Sequence, residues 1–203
     1  MTTDRAAAKD AVRREALARR DAIPMTRRIE ASLALADHAA ALGVGPGDVV
    51  SAYWPIRSEI DPRPLLFALH EAGCRMALPA IVDGALEFRE LTRTGELEPA
   101  GFGTSAPRAG APVLDPAIVL APLAAFDAAG NRVGYGAGHY DRALATMRER
   151  GLHPLVVGLA HAAQEVGAVP AEPHDVPLDG VLCEHGPRAI SARMNAIRSG
   201  SAS

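Results

Sequence analysis

Four short apolar runs constrain this chain most: DVVSAYW at 48–54, AIVLAPL at 117–123, LVVGLA at 155–160 and GVLC at 180–183. None alternates cleanly between polar and apolar, so each reads as a strand covered on both faces. Helical segments at 62–72 and 139–150 lie among them, the latter closed by Gly151. Two more helices precede the first strand, at 4–22 and 26–42. In the first, Ala8, Val12 and Ala16 recur at four-residue spacing and Pro24 marks its end. Thr26 is the expected N-cap of the second, which closes at Gly43. CRMALPA at 74–80 and ALEFREL at 85–91 read as strands joined by an Asp83-Gly84 turn, the second alternating and half exposed. Doubly covered strands separated by helices imply a single-domain, three-layer α/β/α fold with a mostly parallel sheet. That domain is expected over residues 1–190, with the small, polar residues 191–203 expected to fray. Residues 92–115, rich in Gly, Pro and Thr, are too long for an idle connection and are expected to be functional or mobile.

The chain of 203 residues is 48% hydrophobic with a net charge of −3, which excludes disorder. A near-neutral balance without a basic tract also argues against strong nucleic-acid binding. No apolar run is long enough to cross a membrane. The first thirty residues hold eight Arg or Lys against five Asp or Glu, without the apolar stretch of a secretory signal. Asp4, Asp10 and Glu15 argue against a mitochondrial transit peptide. Cys74 and Cys183 lack metal-type spacing and read as reduced core residues of a cytoplasmic protein. Among 21 basic residues Lys9 is the only lysine.

The densest chemistry lies in FDAAGNRVGYGAGHYDR at 126–142. Gly134, Gly136 and Gly138 alternate and lead directly into a helix. Closely spaced glycines let several backbone N–H groups converge on one anion, and the following helix adds a partial positive end. Together they suit phosphate, although a plain tight turn fits the glycines alone equally well. Arg132 can add a charge-assisted contact, and Asp141, in the first helical turn, can hold a Mg²⁺ bound to that phosphate. Tyr135, Tyr140 and Arg142 shift the balance toward a site. The loop is not a Walker sequence, since no Lys-Ser or Lys-Thr follows, and its spacing departs from the dinucleotide fingerprint.

Lys9 and Arg13 stand four apart on the first helix, with Arg5 and Arg20 near the same stripe. Like charges at that spacing cost about 0.2–0.5 kcal/mol per pair, which a bound polyphosphate would offset. A solvated charged face is the simpler account from periodicity. Glu59 reads as a surface carboxylate opening the next element, and Trp54 as a core or rim aromatic with stacking on a substrate as a second role. Asp175, in a proline-flanked turn, reads as a backbone cap, and His174 beside it as structural.

RVGYGAGHYDR, with AFDAAGN before it, resembles the signature of 5-formyltetrahydrofolate cyclo-ligases, also called methenyltetrahydrofolate synthetases. KDAVR at 9–13, YWPIRSEID at 53–61, the LP at 78–79 and HDVPLDGVL at 174–182 fall in the family's order, so the resemblance runs from Lys9 to Cys183. It implies a fold similar to the sugar-phosphate isomerase and CoA-transferase group. It also implies conversion of 5-formyltetrahydrofolate to 5,10-methenyltetrahydrofolate with ATP and Mg²⁺, releasing ADP and phosphate. On this resemblance Lys9, Arg13, Arg132, the loop from Gly134 through Tyr135, Gly136, Ala137, Gly138 and His139, and Tyr140 bind ATP. Lys9, Arg132 and Asp141 are the catalytic residues, and Asp141 and Asp175 hold Mg²⁺. Trp54, Glu59 and the segment Tyr135–His139 bind the folate. A cytoplasmic monomer acting on a small molecule is expected. The rival readings are an ATP-dependent phosphotransferase or ligase of the same fold, and a non-catalytic folate- or nucleotide-binding relative. Two positions depart from the family pattern: His139 replaces a customary Tyr, and Ala106 replaces a customary acid before proline.

Overall fold

The computed structural model describes residues 2–172 and 175–199. Helices α1 (Thr2–Asp21) and α2 (Met25–Ala34) come first, followed by β1 (Val49–Ser51), α3 (Arg63–Glu71), β2 (Arg75–Val82) and β3 (Ala85–Leu91). A small hairpin of β4 (Leu97–Pro99) and β5 (Ser105–Pro107) leads to β6 (Ile118–Pro122). A second hairpin, β7 (Ala125–Phe126) with β8 (Arg132–Val133), precedes α4 (His139–Glu149) and β9 (Leu155–Leu159). The chain finishes with β10 (Gly180–Cys183), β11 (Gly186–Ala189) and α5 (Ala192–Arg198).

Seven strands form one sheet in the order β11–β10–β9–β6–β1–β2–β3. The inner strands β2, β1, β6, β9 and β10 run parallel, and β3 and β11 close the two edges antiparallel. Successive residues of the inner strands serve opposite faces, as period two requires. Val50, Leu78, Ile118, Leu120 and Val157 pack with Leu35, Leu65, Leu69 and Met194. Ala77, Val119, Ala121, Val156 and Val181 pack with Leu144 and Met147 of α4. The three-layer, mostly parallel architecture expected from the apolar runs is the one observed.

From β1 the chain crosses through α3 to β2, whereas from β6 it crosses through α4 to β9, on the opposite side of the sheet. The loops after β1 and β6 therefore diverge above adjacent strand ends. A crevice opens at such a switch point, where parallel α/β sheets bind ligands. Helix α1 closes over it, with Val12 and Ala16 packed on Ala125, Val133 and Val169.

Several local expectations are corrected. The helix expected over 26–42 ends at Ala34 and continues as a 3-10 segment over Ala36–Leu42, burying both Leu35 and Leu42. It starts at Met25 after Pro24, so Thr26 lies inside the first turn and is not its N-cap. Its closure at Gly43 holds, with a left-handed φ of 65°. The segment expected to fray forms α5 instead: the Ser191 side chain accepts the Met194 N–H, and Met194 is fully buried. Residues 200–203 of that segment, and His174, lie outside the described residues.

The turn between β7 and β8 rests on Asp127, which is 4% exposed. Its carboxylate accepts hydrogen bonds from the N–H groups of Ala129, Asn131 and Val169 and from Asn131 Nδ2, all at 2.9–3.0 Å. Burial raises its pKa, but the Asn131 side chain and these N–H groups outweigh burial and hold it below the ordinary aspartate value. Asp127→Ala is expected to cost at least about 2 kcal/mol in urea unfolding, because buried donors lose their acceptor. A depressed carboxyl pKa stabilises the fold above the unfolded value, and that contribution is lost as pH falls through the folded one. Asp127→Asn should therefore flatten the acid side of the stability profile.

Candidate active site

A cavity of about 1050 Å³ occupies the crevice. Helix α1 contributes Lys9 and Arg13, and the loop after β1 contributes Trp54 and Glu59. The β7–β8 hairpin and the loop behind it supply Arg132, Gly134, Tyr135, Gly136, Ala137 and Gly138. The first turn of α4 adds His139, Tyr140 and Asp141, and the segment before β10 adds Asp175. Every residue singled out for the site in the sequence thus lines one cavity.

Gly136 and Gly138 have φ of 99° and 63°, values that favour glycine. Gly134 does not use this freedom. Gly138 is the N-cap of α4, and no side chain caps that end, so the first helical N–H groups lack the usual side-chain acceptor. An anion can take that place.

Cations and carboxylates pair around the loop. Lys9 Nζ donates to Glu172 Oε2 and Asp175 Oδ2, both at 2.7 Å. Burial pulls the Lys9 pKa down, but the bonds to Asp175 and Glu172 outweigh it, so the ammonium stands above the ordinary lysine value. Arg13 Nε donates to the Gly134 carbonyl at 2.7 Å, and its guanidinium also pairs with Asp10. Buried Arg132 donates to Asp141 Oδ1 at 2.7 Å and to the Val176 carbonyl. The Val176 N–H reaches the same Asp141 oxygen at 3.1 Å.

Glu59 Oε2 accepts the Ile56 N–H at 2.8 Å. Burial raises the Glu59 pKa, while the Tyr135 hydroxyl, the Ile56 N–H, Arg20 and Arg57 oppose the rise. The Tyr135 and Tyr140 hydroxyls are both pushed up by burial and then by the Glu59 charge. Tyr140 packs against the Leu144 and Met147 side of the core, and its hydroxyl is buried without a hydrogen-bond partner among the described residues. Trp54 packs against the opposite core and carries the Arg63 guanidinium 5.2 Å from its ring centroid. It is a rim aromatic that also faces the cavity.

Residues 5–184 match the sequence model of the 5-formyltetrahydrofolate cyclo-ligase family. The chain belongs to that family. A 5-formyltetrahydrofolate cyclo-ligase from Mycolicibacterium smegmatis is 34% identical over 149 residues, covering 67% of this chain and 73% of its own. The Escherichia coli cyclo-ligase is 32% identical over 140 residues, covering 66% and 76%. Among solved structures, Aquifex aeolicus 5,10-methenyltetrahydrofolate synthetase superposes with a TM-score of 0.71 at 25% identity, over 90% of this chain and 92% of its own.

Within this cyclo-ligase-family chain, the two departures acquire surroundings. His139 Nδ1 lies 3.0 Å from Arg142 Nη2, which ties it to the start of α4. Ala106 is buried on β5, and its cross-strand partner on β4 is Glu98, which also lines the cavity. The cavity also takes in Glu98, Arg89 and Glu172, none of which the sequence singled out. Glu172 stands only three residues before Asp175, a spacing that could have flagged it.

The donor set fits a magnesium ion. Among the described residues no cluster of three or more His, Cys, Asp or Glu forms a closed metal cage. Mg²⁺ does not need one, since it is commonly held by one or two carboxylates, substrate phosphates and water. Both contacts to Asp141 fall on Oδ1, and Asp175 stands in the same cavity.

Proposed function

We propose that this chain converts 5-formyltetrahydrofolate to 5,10-methenyltetrahydrofolate at the expense of ATP, releasing ADP and phosphate, with Mg²⁺ required. The supporting observation is the single cavity lined both by the glycine-rich loop with its cations and by Trp54 and Glu59. Its family membership supports the same reading.

The formyl group on N5 is an amide, and its oxygen is a poor leaving group. Transfer of the terminal phosphoryl group of ATP to that oxygen makes it a phosphate ester. N10 then attacks the formyl carbon, the C–O bond breaks, phosphate departs and N10 loses its proton. Such chemistry asks the protein mainly for positioning and charge stabilisation. Lys9, Arg13 and Arg132 neutralise the phosphates, and the N–H groups of the 134–138 loop and of α4's first turn cradle them. Glu59 accepts hydrogen bonds from pterin N–H donors, Trp54 flanks the ring, and Tyr135 through His139 align it. Asp141 and Asp175 would hold Mg²⁺, which would offset negative charge on the phosphates. No enzyme nucleophile is needed. The reading includes a cytoplasmic monomer.

Purified protein supplied with ATP, Mg²⁺ and 5-formyltetrahydrofolate is expected to accumulate the methenyl product, followed by its near-UV absorbance. Folate binding without turnover, or ATP hydrolysis stimulated only by a different small molecule, would overturn the proposal.

A further inference from the structure

Arg20, on α1, is 2% exposed, yet its hydrogen bonds are not to a carboxylate. Its Nε donates to Ser58 Oγ at 2.9 Å and its Nη1 to the Tyr135 hydroxyl at 2.6 Å, with the guanidinium 5.9 Å from the Tyr135 ring centroid. The Asp21 carboxylate is 3.8 Å from Nε, and Ser58 donates its own proton to it. A buried arginine is ordinarily secured by a bidentate carboxylate. This one spends its donors on two neutral hydroxyls, one from each loop that walls the cavity. Ser58 precedes Glu59 directly, and Tyr135 lies between Gly134 and Gly136.

We propose that Arg20 is a positioning residue that clamps the glycine loop to the loop after β1 and thereby aims the Glu59 carboxylate at the pterin. This rests on the cyclo-ligase reading above. Because the Tyr135 oxygen accepts from Arg20, its own proton is free to turn to the Glu59 carboxylate, whose charge it feels. A bond there favours the carboxylate form, the one able to accept two N–H donors. The groups facing Glu59 are Tyr135, the Ile56 N–H, Arg20 and Arg57, with Tyr53 and Tyr140 also close enough to feel its charge. Burial already raises the Glu59 pKa, and Arg20 is among the groups that oppose the rise. Losing Arg20 removes that opposition and loosens the Tyr135 hydroxyl together.

The test measures Arg20→Met and Arg20→Lys against the wild type, with KM for folate and ATP determined separately and kcat/KM for folate followed against pH. Arg20→Met should raise the folate KM about tenfold while the ATP KM stays within about twofold, and its acid limb should move to higher pH. Arg20→Lys should restore part of both. A purely structural arginine would reduce the active fraction or both affinities without moving the limb. Should Arg20→Met fail to fold, Tyr135→Phe removes only the linking hydroxyl and should shift the limb the same way. Fluorescence of Trp54, the only tryptophan, reports folate binding without turnover. Folded variants with unchanged folate affinity and an unmoved limb overturn the role of Arg20 alone. A wild type that neither binds nor converts the folate overturns the reading beneath it.

Discussion

Asp141→Asn is expected to lower turnover by at least about 100-fold while the protein remains folded, as steady-state assays and circular dichroism would show. Asparagine preserves the shape and an acceptor oxygen for Arg132 and the Val176 N–H, the two groups now held by Asp141 Oδ1. What it removes is the negative charge proposed to hold Mg²⁺. Asp141→Ala removes more, because buried Arg132 then loses its only carboxylate partner among the described residues. That variant should also lose about 1–3 kcal/mol of stability, the cost of stranding a buried donor. The pair of variants separates chemistry from architecture. Full activity in Asp141→Asn would remove Asp141 from the metal role.

Asp141 illustrates what the sequence could and could not disclose. Its place at a helix N-terminus after alternating glycines was readable, and so was the chemistry of that end. Its engagement with Arg132 and Val176 was not, since both bonds join segments brought together only by folding. The same contrast runs through the fold. AIVLAPL and LVVGLA announced inner strands because burial on both faces leaves no polar alternation to confuse the period. The β4–β5 and β7–β8 ladders are two or three residues long and carry no such pattern. Among the described side chains of α5 only Met194 and Ile197, three apart, face the core, too sparse a signal beside the small polar residues around them. Arg20 shared the Lys9 and Arg13 stripe in the sequence, but nothing there distinguished a buried clamp from a solvated charge. The family resemblance, rather than periodicity, drew Lys9, Glu59 and Asp175 into the site, and the structure places all three on its wall.

Lys9→Arg keeps the charge and is nevertheless expected to raise the KM for ATP about tenfold, with the folate KM nearly unchanged. The Lys9 side chain is 14% exposed and its ammonium sits 2.7 Å from both Glu172 Oε2 and Asp175 Oδ2. These pairings outweigh burial and hold its pKa above the ordinary lysine value, so the site offers a positive charge to an arriving phosphate. A compact ammonium with three rotatable donors can leave one carboxylate for a phosphate oxygen while retaining the other. A planar guanidinium is wider and matches a carboxylate bidentately. In that form it would draw Asp175 into a forked pair and hold it away from the metal it is proposed to share with Asp141. The substitution should therefore damage nucleotide use through geometry, not through charge. Lys9→Met, which deletes the charge, should be worse than Lys9→Arg by a further factor of about ten. The two variants are compared with ATP varied at saturating folate. An ATP KM unaltered by Lys9→Arg would mean that the only lysine of the chain serves as a plain cation between two acids.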